Sequence, residues 1–244
     1  MTGELRVIPV RGIPELEEGD DLAALLVDAA PELEDDDVLV VAQKAVSKVE
    51  GRVIDLTGIE VSEHARELAA DTDPRRLEVI LREAREILRT RPPLVIAETR
   101  HGFVCASAGV DASNAKGPDT LVLLPVDPDA SAERLRDRIR ELTGADVGVV
   151  VSDSFGRAWR TGTTDVALGV AGLTAVVDLD GQRDSTGYEL HATQIAVADE
   201  IAGAAQLVMG KLDGIPAAIV RGLRVRGDGR GSDLVMPRER DLFR

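Results

Sequence analysis

The chain has 244 residues and a formal net charge of −15, with 44 acidic residues against 29 lysines and arginines. Such a negative surface repels nucleic acids and anionic membranes, so we expect neither as a partner. Only four of the basic residues are lysines, and the aromatic residues are one Trp, one Tyr and three Phe, a composition that predicts an acidic, solvated surface adapted to high salt.

The sequence predicts a cytoplasmic location. A single cysteine, Cys105, excludes an intrachain disulfide and is consistent with a reducing compartment. The first residues carry charge and lack the apolar core of a signal peptide. The longest apolar stretch, residues 166–177, is interrupted by glycines and too short to span a bilayer.

Strands and helices are predicted to alternate along the chain. Apolar, β-branched runs predict strands at 5–10, 37–42, 94–97, 120–125, 147–151 and 217–220. Helical spacing and capping residues predict helices at 22–30, 62–70, 73 to about 88, from about 128 to a stop at Gly144, and 193–209. The glycine-containing segment 160–179 is predicted to be tightly packed backbone. Alternating strands and helices predict an α/β fold in one domain, 1–244, with a core at about 5–222 and a weakly structured, polar, Arg-rich tail at 223–244.

The segment 149–160 combines a predicted buried strand with a cluster of polar side chains. Ser152, Asp153 and Ser154 follow the strand, and Arg157 and Arg160 come next. A carboxylate beside hydroxyls suits Mg²⁺ or Mn²⁺, and arginines suit the phosphates that accompany such an ion. The same pattern also fits a strand-end turn with a hydroxyl cap and a surface arginine pair.

Two further groups of polar residues follow predicted strands. Lys44 and Lys48 lie four residues apart and are half of all the lysines, which favours a role in phosphate binding over a pair of solvated surface charges. Asp111, Ser113 and Asn114 offer oxygen ligands, although such residues are also common in turns. The sequence lacks the usual phosphate-loop, dinucleotide, zinc-protease and nucleophile-elbow motifs.

The chain resembles the F420-0:γ-glutamyl ligase family over about residues 5–222. The matching stretches are 12–14 with 18–22, 37–41 with 47–52, 108–114, 124–129, 152–157 and 198–202. The resemblance implies an α/β fold particular to the family, with mixed sheets, flanking helices and an intertwined homodimer. Because the chain carries no fused flavin-binding domain, it resembles the stand-alone archaeal form, and its acidic composition suggests a salt-loving archaeon.

The resemblance implies a GTP-dependent ligase that couples L-glutamate to coenzyme F420-0 and then adds further γ-linked glutamates. The expected route forms an acyl phosphate and releases GDP and phosphate. Mg²⁺ or Mn²⁺ is expected, together with K⁺.

The resemblance also assigns residues. Asp111 and Asp153 are expected to bind a first metal, and Ser154, which replaces a common threonine, a second. Asp153, Arg157 and Lys48 are the expected catalytic residues. The expected nucleotide contacts are Gly12, Ile13, Pro14, Glu15, Gln43, Lys44, Lys48, Asn114, Met209, Gly210 and Lys211.

Two positions depart from the family's pattern: Gln43-Lys44 replaces small hydroxyl residues, and Lys211 is the second departure. Lys211 stands where some members carry an acidic metal ligand, and a cation there cannot bind Mg²⁺. Two alternatives to the ligase remain open. One is a non-catalytic GTP- or F420-binding protein, for which Lys211 and Ser154 are the sequence support. The other is a metal-dependent phosphatase or NTPase that uses the same acids and has no glutamate acceptor.

Overall fold

The structure is a computed structural model that describes residues 4–243. The strands are β1 (Arg6–Val10), β2 (Val38–Ala42), β3 (Val53–Asp55), β4 (Ala84–Arg91), β5 (Leu94–Thr99), β6 (Val104–Ala106), β7 (Thr120–Val122), β8 (Gly148–Arg157), β9 (Arg160–Ala171), β10 (Val177–Asp178), β11 (Gln194–Ile195) and β12 (Ala217–Arg221). The α-helices are α1 (Leu22–Ala29), α2 (Gln43–Val49), α3 (Glu63–Ala69), α4 (Pro74–Glu83), α5 (Pro128–Thr143) and α6 (Val197–Met209).

A five-stranded sheet forms the centre of the fold, in the order β1-β12-β2-β8-β9. Strands β2 and β8 are parallel, and the other neighbouring pairs are antiparallel. Two two-stranded sheets and one three-stranded sheet complete the described fold. The prediction of an α/β fold with mixed sheets and flanking helices is therefore confirmed.

Helices cover both faces of the central sheet. On one face, Leu39 and Val41 of β2 pack in a core with residues of α1 and α5. On the other face, Val38 and Val40 pack in a second core with residues of α6. A strand buried on both faces appears in the sequence as a continuous apolar run, as β2 does.

The region between β2 and β8 corrects one helix prediction. Helix α4 begins at Pro74, as its Asp73 cap predicts, but ends at Glu83 rather than near residue 88. Residues 84–91 form β4, which pairs with β5 in an antiparallel ladder. The apolar spacing at 84–88 also fits a helix, so the distant partner strand decides the conformation.

The elements around the predicted site also differ from expectation. Both lysines were predicted to follow a strand rather than to lie on a helix, but residues 43–49 form α2, and Lys44 and Lys48 lie one turn apart on it. Strand β8 does not end near residue 151 but continues to Arg157 and pairs with β9. The register of this pair shifts at Ser152, an irregularity of the kind often found beside active sites.

The Arg-rich tail is bound to the core rather than weakly structured. The buried carboxylate of Asp129, in the first turn of α5, accepts hydrogen bonds from the backbone N–H groups of Gly231 (2.6 Å), Ser232 (3.4 Å) and Val170 (2.9 Å). Residues 231–234 form a 3₁₀ turn at this contact. One buried carboxylate thus joins the tail, α5 and β9.

Replacing Asp129 with alanine should therefore destabilise the whole protein. Asp129→Ala leaves buried donors unpaired, and we expect a loss of about 3 kcal/mol in the free energy of unfolding. Urea denaturation followed by far-UV circular dichroism measures it. Asp228→Ala, which changes an exposed acid in the same tail, is the matched control, and an equal midpoint for the two variants would refute this role of Asp129.

Candidate functional site: a lysine-lined cavity beside two carboxylates

A cavity of about 430 Å³ opens at the end of β2 and beside the middle of β8. Its walls come from the segments 13–16, 42–48, 114–116, 152–154, 206–211 and 214–216, together with Asp165. These segments are far apart in sequence, and 42–48, 152–154 and Asp165 meet because β2, β8 and β9 are neighbours in the sheet.

All four lysines of the chain line this cavity: Lys44, Lys48, Lys116 and Lys211. Lys48 Nζ lies 2.5 Å from Glu15 Oε1, and Lys116 Nζ lies 2.5 Å from Glu17 Oε1. A protein of net charge −15 thus concentrates its lysines at one place. Such a place suits an anionic ligand, because the rest of the surface would repel it.

Lys44 connects the cavity to the first predicted metal ligand. Its Nζ lies 2.5 Å from Asp111 Oδ2 and 2.7 Å from Ser113 Oγ. Two backbone hydrogen bonds to Val122 fix Asp111, one in each direction. Burial by itself raises the pKa of Asp111, but the hydrogen bonds from Lys44 and Ser113 outweigh it and hold that pKa below its ordinary value. Asp111 is therefore ionised at neutral pH.

The second predicted metal ligand is Asp153 on β8, and its pKa is shifted in the opposite direction to that of Asp111. Burial raises the pKa of Asp153 to about 6, and the negative charges of Asp111 and Asp165 add to this effect. The backbone N–H of Ser154 and the charge of Lys44 act in the other direction but are weaker. Asp153 is thus a carboxylate short of positive charge, and a cation beside it would be stabilised.

Asp165 on β9 holds the neighbouring hydroxyls in place. Ser154 Oγ donates to Asp165 Oδ1 at 2.6 Å, and Ser152 Oγ donates to Asp165 Oδ2 at 3.2 Å. The backbone N–H of Asp165 donates to Gln206 Oε1 on α6. Because the Ser154 proton is directed at Asp165, the oxygen of Ser154 keeps a lone pair for another partner.

The donors present fit a divalent cation that arrives with a phosphate ligand. Among residues 4–243, no group of three or more His, Cys, Asp or Glu side chains could hold a metal. Mg²⁺, however, commonly takes only one or two protein carboxylates and completes its shell with phosphates and water. Asp111 and Asp153 supply that number. Gln43, 1% exposed, lines the same cavity, and its Nε2 is a buried donor without a hydrogen-bond partner among residues 4–243. An oxygen of the ligand would satisfy it.

The structure brings most of the predicted site residues together. Twelve of them line the cavity: Ile13, Pro14, Glu15, Gln43, Lys44, Lys48, Asn114, Asp153, Ser154, Met209, Gly210 and Lys211. Gly12 directly precedes the lining segment, and Asp111 is reached through Lys44. Arg157 is the exception, because it is exposed at the end of the β8–β9 hairpin and does not line the cavity. The functional roles of all these residues stay predictions.

Sequence reasoning missed three polar residues of the cavity wall: Lys116, Asp165 and Gln206. The scarcity of lysine would have indicated Lys116. Asp165 had no local signal, since only the pairing of β8 with β9 places it opposite Ser154. Gln206 was placed correctly in a helix, but nothing in its neighbours shows that it faces the site.

Cys105 lies near Asp153 but is not a nucleophile. Burial, with the charge of Asp153 as a second cause, raises the pKa of this thiol to about 12. The group therefore stays protonated at neutral pH, and a thiolate is the reactive form. The chemistry of the site must come from its carboxylates, hydroxyls and lysines.

Comparison with known proteins first defines the class, an acid–amino-acid ligase. The chain is 48% identical to the coenzyme F420:L-glutamate ligase of Methanopyrus kandleri, over 98% of both chains. It is 45% identical to the protein of that name from Methanocaldococcus jannaschii, over 100% of both chains. The protein of that name from Methanothermobacter thermautotrophicus is 45% identical, over 98% of this chain and 99% of its own.

The family follows from the same comparison. The family model described as F420-0:Gamma-glutamyl ligase matches residues 12–222, and this range contains every cavity-lining residue. The chain belongs to the F420-0:γ-glutamyl ligase family. No helix among residues 4–243 combines the length and apolar character needed to cross a bilayer.

Proposed function

We propose that this protein joins the amine of L-glutamate to the carboxylate of coenzyme F420-0, using GTP, and then adds further γ-linked glutamates. Full-length identity of 44–48% to coenzyme F420:L-glutamate ligases supports the acceptor and the amino acid. The clustering of all four lysines around one cavity supports the triphosphate and is the observation that carries the proposal.

The proposed reaction has two steps. A carboxylate oxygen of F420-0 attacks the γ-phosphorus of GTP, so that GDP leaves and an acyl phosphate forms. The glutamate amine then attacks the acyl carbon, phosphate leaves, and one proton is released. Both steps crowd anionic oxygens together, and groups that neutralise this charge lower the barrier.

Different residues of the cavity would neutralise different parts of this negative charge. Lys48, which is 12% exposed, and Lys211 offer ammonium groups to the phosphates. Gln43 offers an amide nitrogen that no described residue accepts from. Asp111 and Asp153, with the Ser154 hydroxyl beside them, would hold Mg²⁺ or Mn²⁺. When bound, such an ion would polarise the phosphoryl oxygens and reduce repulsion of the attacking carboxylate.

An assay of GDP release separates this proposal from its alternatives. The purified protein is incubated with GTP, Mn²⁺ and molar KCl, with F420-0 and L-glutamate added separately and together. A ligase should release GDP in step with added glutamate once F420-0 is present. GDP release that needs neither F420-0 nor glutamate would indicate an NTPase. Tight GTP binding without GDP release would indicate a binding protein.

We also propose a homodimer, on the basis of apolar residues exposed at the end of the β8–β9 hairpin. Trp159 is 82% exposed, and its only described ring contact is with Phe243, at 4.8 Å between centroids. Leu242, which directly precedes Phe243 in the chain, is 90% exposed. Light scattering should give twice the chain mass of 26.0 kDa, and a mass of 26.0 kDa at micromolar concentration would refute the dimer.

A further inference from the structure

Lys44 lies where a divalent cation would be expected to bind. Its ammonium is 2.5 Å from Asp111 Oδ2, and its charge also acts on Asp153. Lys44 and Asp111 are 13% and 34% exposed, so the pair is partly withdrawn from water. A lysine ammonium in this position neutralises the carboxylates that the metal would need.

Lys44 also lies where its ammonium can contact a ligand in the cavity. It lines the cavity on the same turn of α2 as Gln43, whose amide donor has no partner in the described part of the chain, and one turn before Lys48. A lysine side chain is long and flexible, and its ammonium is a point charge that binds phosphate without a fixed geometry. A triphosphate in the cavity would therefore compete with Asp111 for this ammonium.

We propose that Lys44 is an internal counter-cation that couples metal binding to nucleotide binding. In the nucleotide-free protein it neutralises Asp111 and keeps divalent ions weakly bound. When nucleotide enters, its phosphates attract Lys44 and Asp111 is released, so that Asp111 and Asp153 would be free to hold a divalent cation. Metal and nucleotide then bind together, and neither binds tightly alone. This inference rests on the proposed function, since it requires both ligands.

The test measures Mn²⁺ affinity directly, through the electron paramagnetic resonance signal of the free ion. Lys44→Met should raise the Mn²⁺ affinity of the nucleotide-free protein by about tenfold, because a contacting positive charge is removed. Lys44→Arg keeps the charge and should leave the affinity low. Lys116→Met removes a lysine paired with Glu17 in the same cavity and should change the affinity by less than about twofold. In an Asp111→Asn background, Lys44→Met should lose most of its effect.

A second experiment measures how strongly Mn²⁺ binding and nucleotide binding are coupled. It uses a non-hydrolysable GTP analogue and corrects for the Mn²⁺–nucleotide complex that forms without protein. The analogue should tighten Mn²⁺ binding strongly in the wild type and much less in Lys44→Met. If Lys44→Met is unstable in a thermal melt, Lys44→Gln replaces it.

The outcomes separate the inference from the function on which it rests. Suppose that the analogue tightens Mn²⁺ binding in the wild type, but that Lys44→Met changes the Mn²⁺ affinity neither without nor with the analogue. The proposed role of Lys44 is then wrong, and the proposed function stands. If the wild type binds neither Mn²⁺ nor the analogue, the proposed function fails and this inference fails with it.

Discussion

Asp153→Asn is expected to lower the rate of glutamate addition by about a thousandfold, because a bound metal contributes several kcal/mol of stabilisation to such a transition state. Asparagine keeps the shape of the side chain but removes the charge that would hold the metal. Glutamate-dependent GDP release at saturating substrates measures the effect. Asp28→Asn, an exposed acid on α1, is the matched control and should retain full activity.

The same substitution should make the metal-free protein more stable. Burial raises the pKa of Asp153 to about 6, so folding disfavours its ionised form. At pH 7 the wild type carries this penalty, whereas Asp153→Asn does not, and we expect a gain of about 1–3 kcal/mol in the free energy of unfolding. The gain should shrink as the pH falls below about 6, because the wild-type carboxyl is then protonated in the folded state. Lost activity with lost stability would show that Asp153 is structural.

Gly169→Ala is expected to have the largest effect on stability. A methyl group at this position of β9 would lie 2.0 Å from the backbone oxygen of Pro128 and 2.2 Å from its carbon. Both atoms belong to the first turn of α5 and cannot move independently of the helix. We expect a loss of about 3 kcal/mol or more, which lowers the melting temperature by roughly 10 °C.

Gly156→Ala is the control within the same hairpin. A methyl group there meets no atom of the described residues within 4 Å, so the melting temperature should stay close to that of the wild type. Thermal unfolding of the two variants under identical salt conditions makes the comparison. Similar midpoints would mean that α5 does not approach β9 as closely as the structure has it.

Local sequence signals predicted five of the six described α-helices and most buried strands, but they missed α2 and extended α4 too far. The caps at Asp21, Ser62, Asp73 and Asp127 each accept a hydrogen bond from a backbone N–H group in the first turn of the helix that follows. Gly144 ends α5 in a left-handed conformation, with φ at +80°. These features depend only on neighbouring residues, so the sequence alone is enough to find them.

Most errors in the secondary-structure prediction occurred where a residue or strand distant in sequence decides the local structure. Residues 84–88 fit a helix until β5 pairs with them. The glycine-containing stretch after Arg160 was correctly predicted to be tightly packed, at Gly169, but only its pairing with β8 makes it a strand. The Arg-rich tail appears unstructured in sequence because its anchor, Asp129, lies about a hundred residues earlier.

The candidate site shows the same division. The two acids and the first two lysines were found from residue type and position after strands. Asp165 was not found, because it becomes a partner of Ser154 only across the β8–β9 ladder. Arg157 was expected beside Asp153, but a strand rises about 3.3 Å per residue, so four further residues of β8 carry it roughly 13 Å along the hairpin.

Mass spectrometry of F420-0 tests the central proposal most directly. The cofactor is incubated with the protein, GTP, Mn²⁺, L-glutamate and molar KCl, and Asp153→Asn serves as the inactive control. The proposal predicts a gain of one or more glutamyl units, with one GDP formed for each unit added. An unchanged F420-0 mass while GTP is hydrolysed would contradict the ligase function and leave an NTPase as the account of this site.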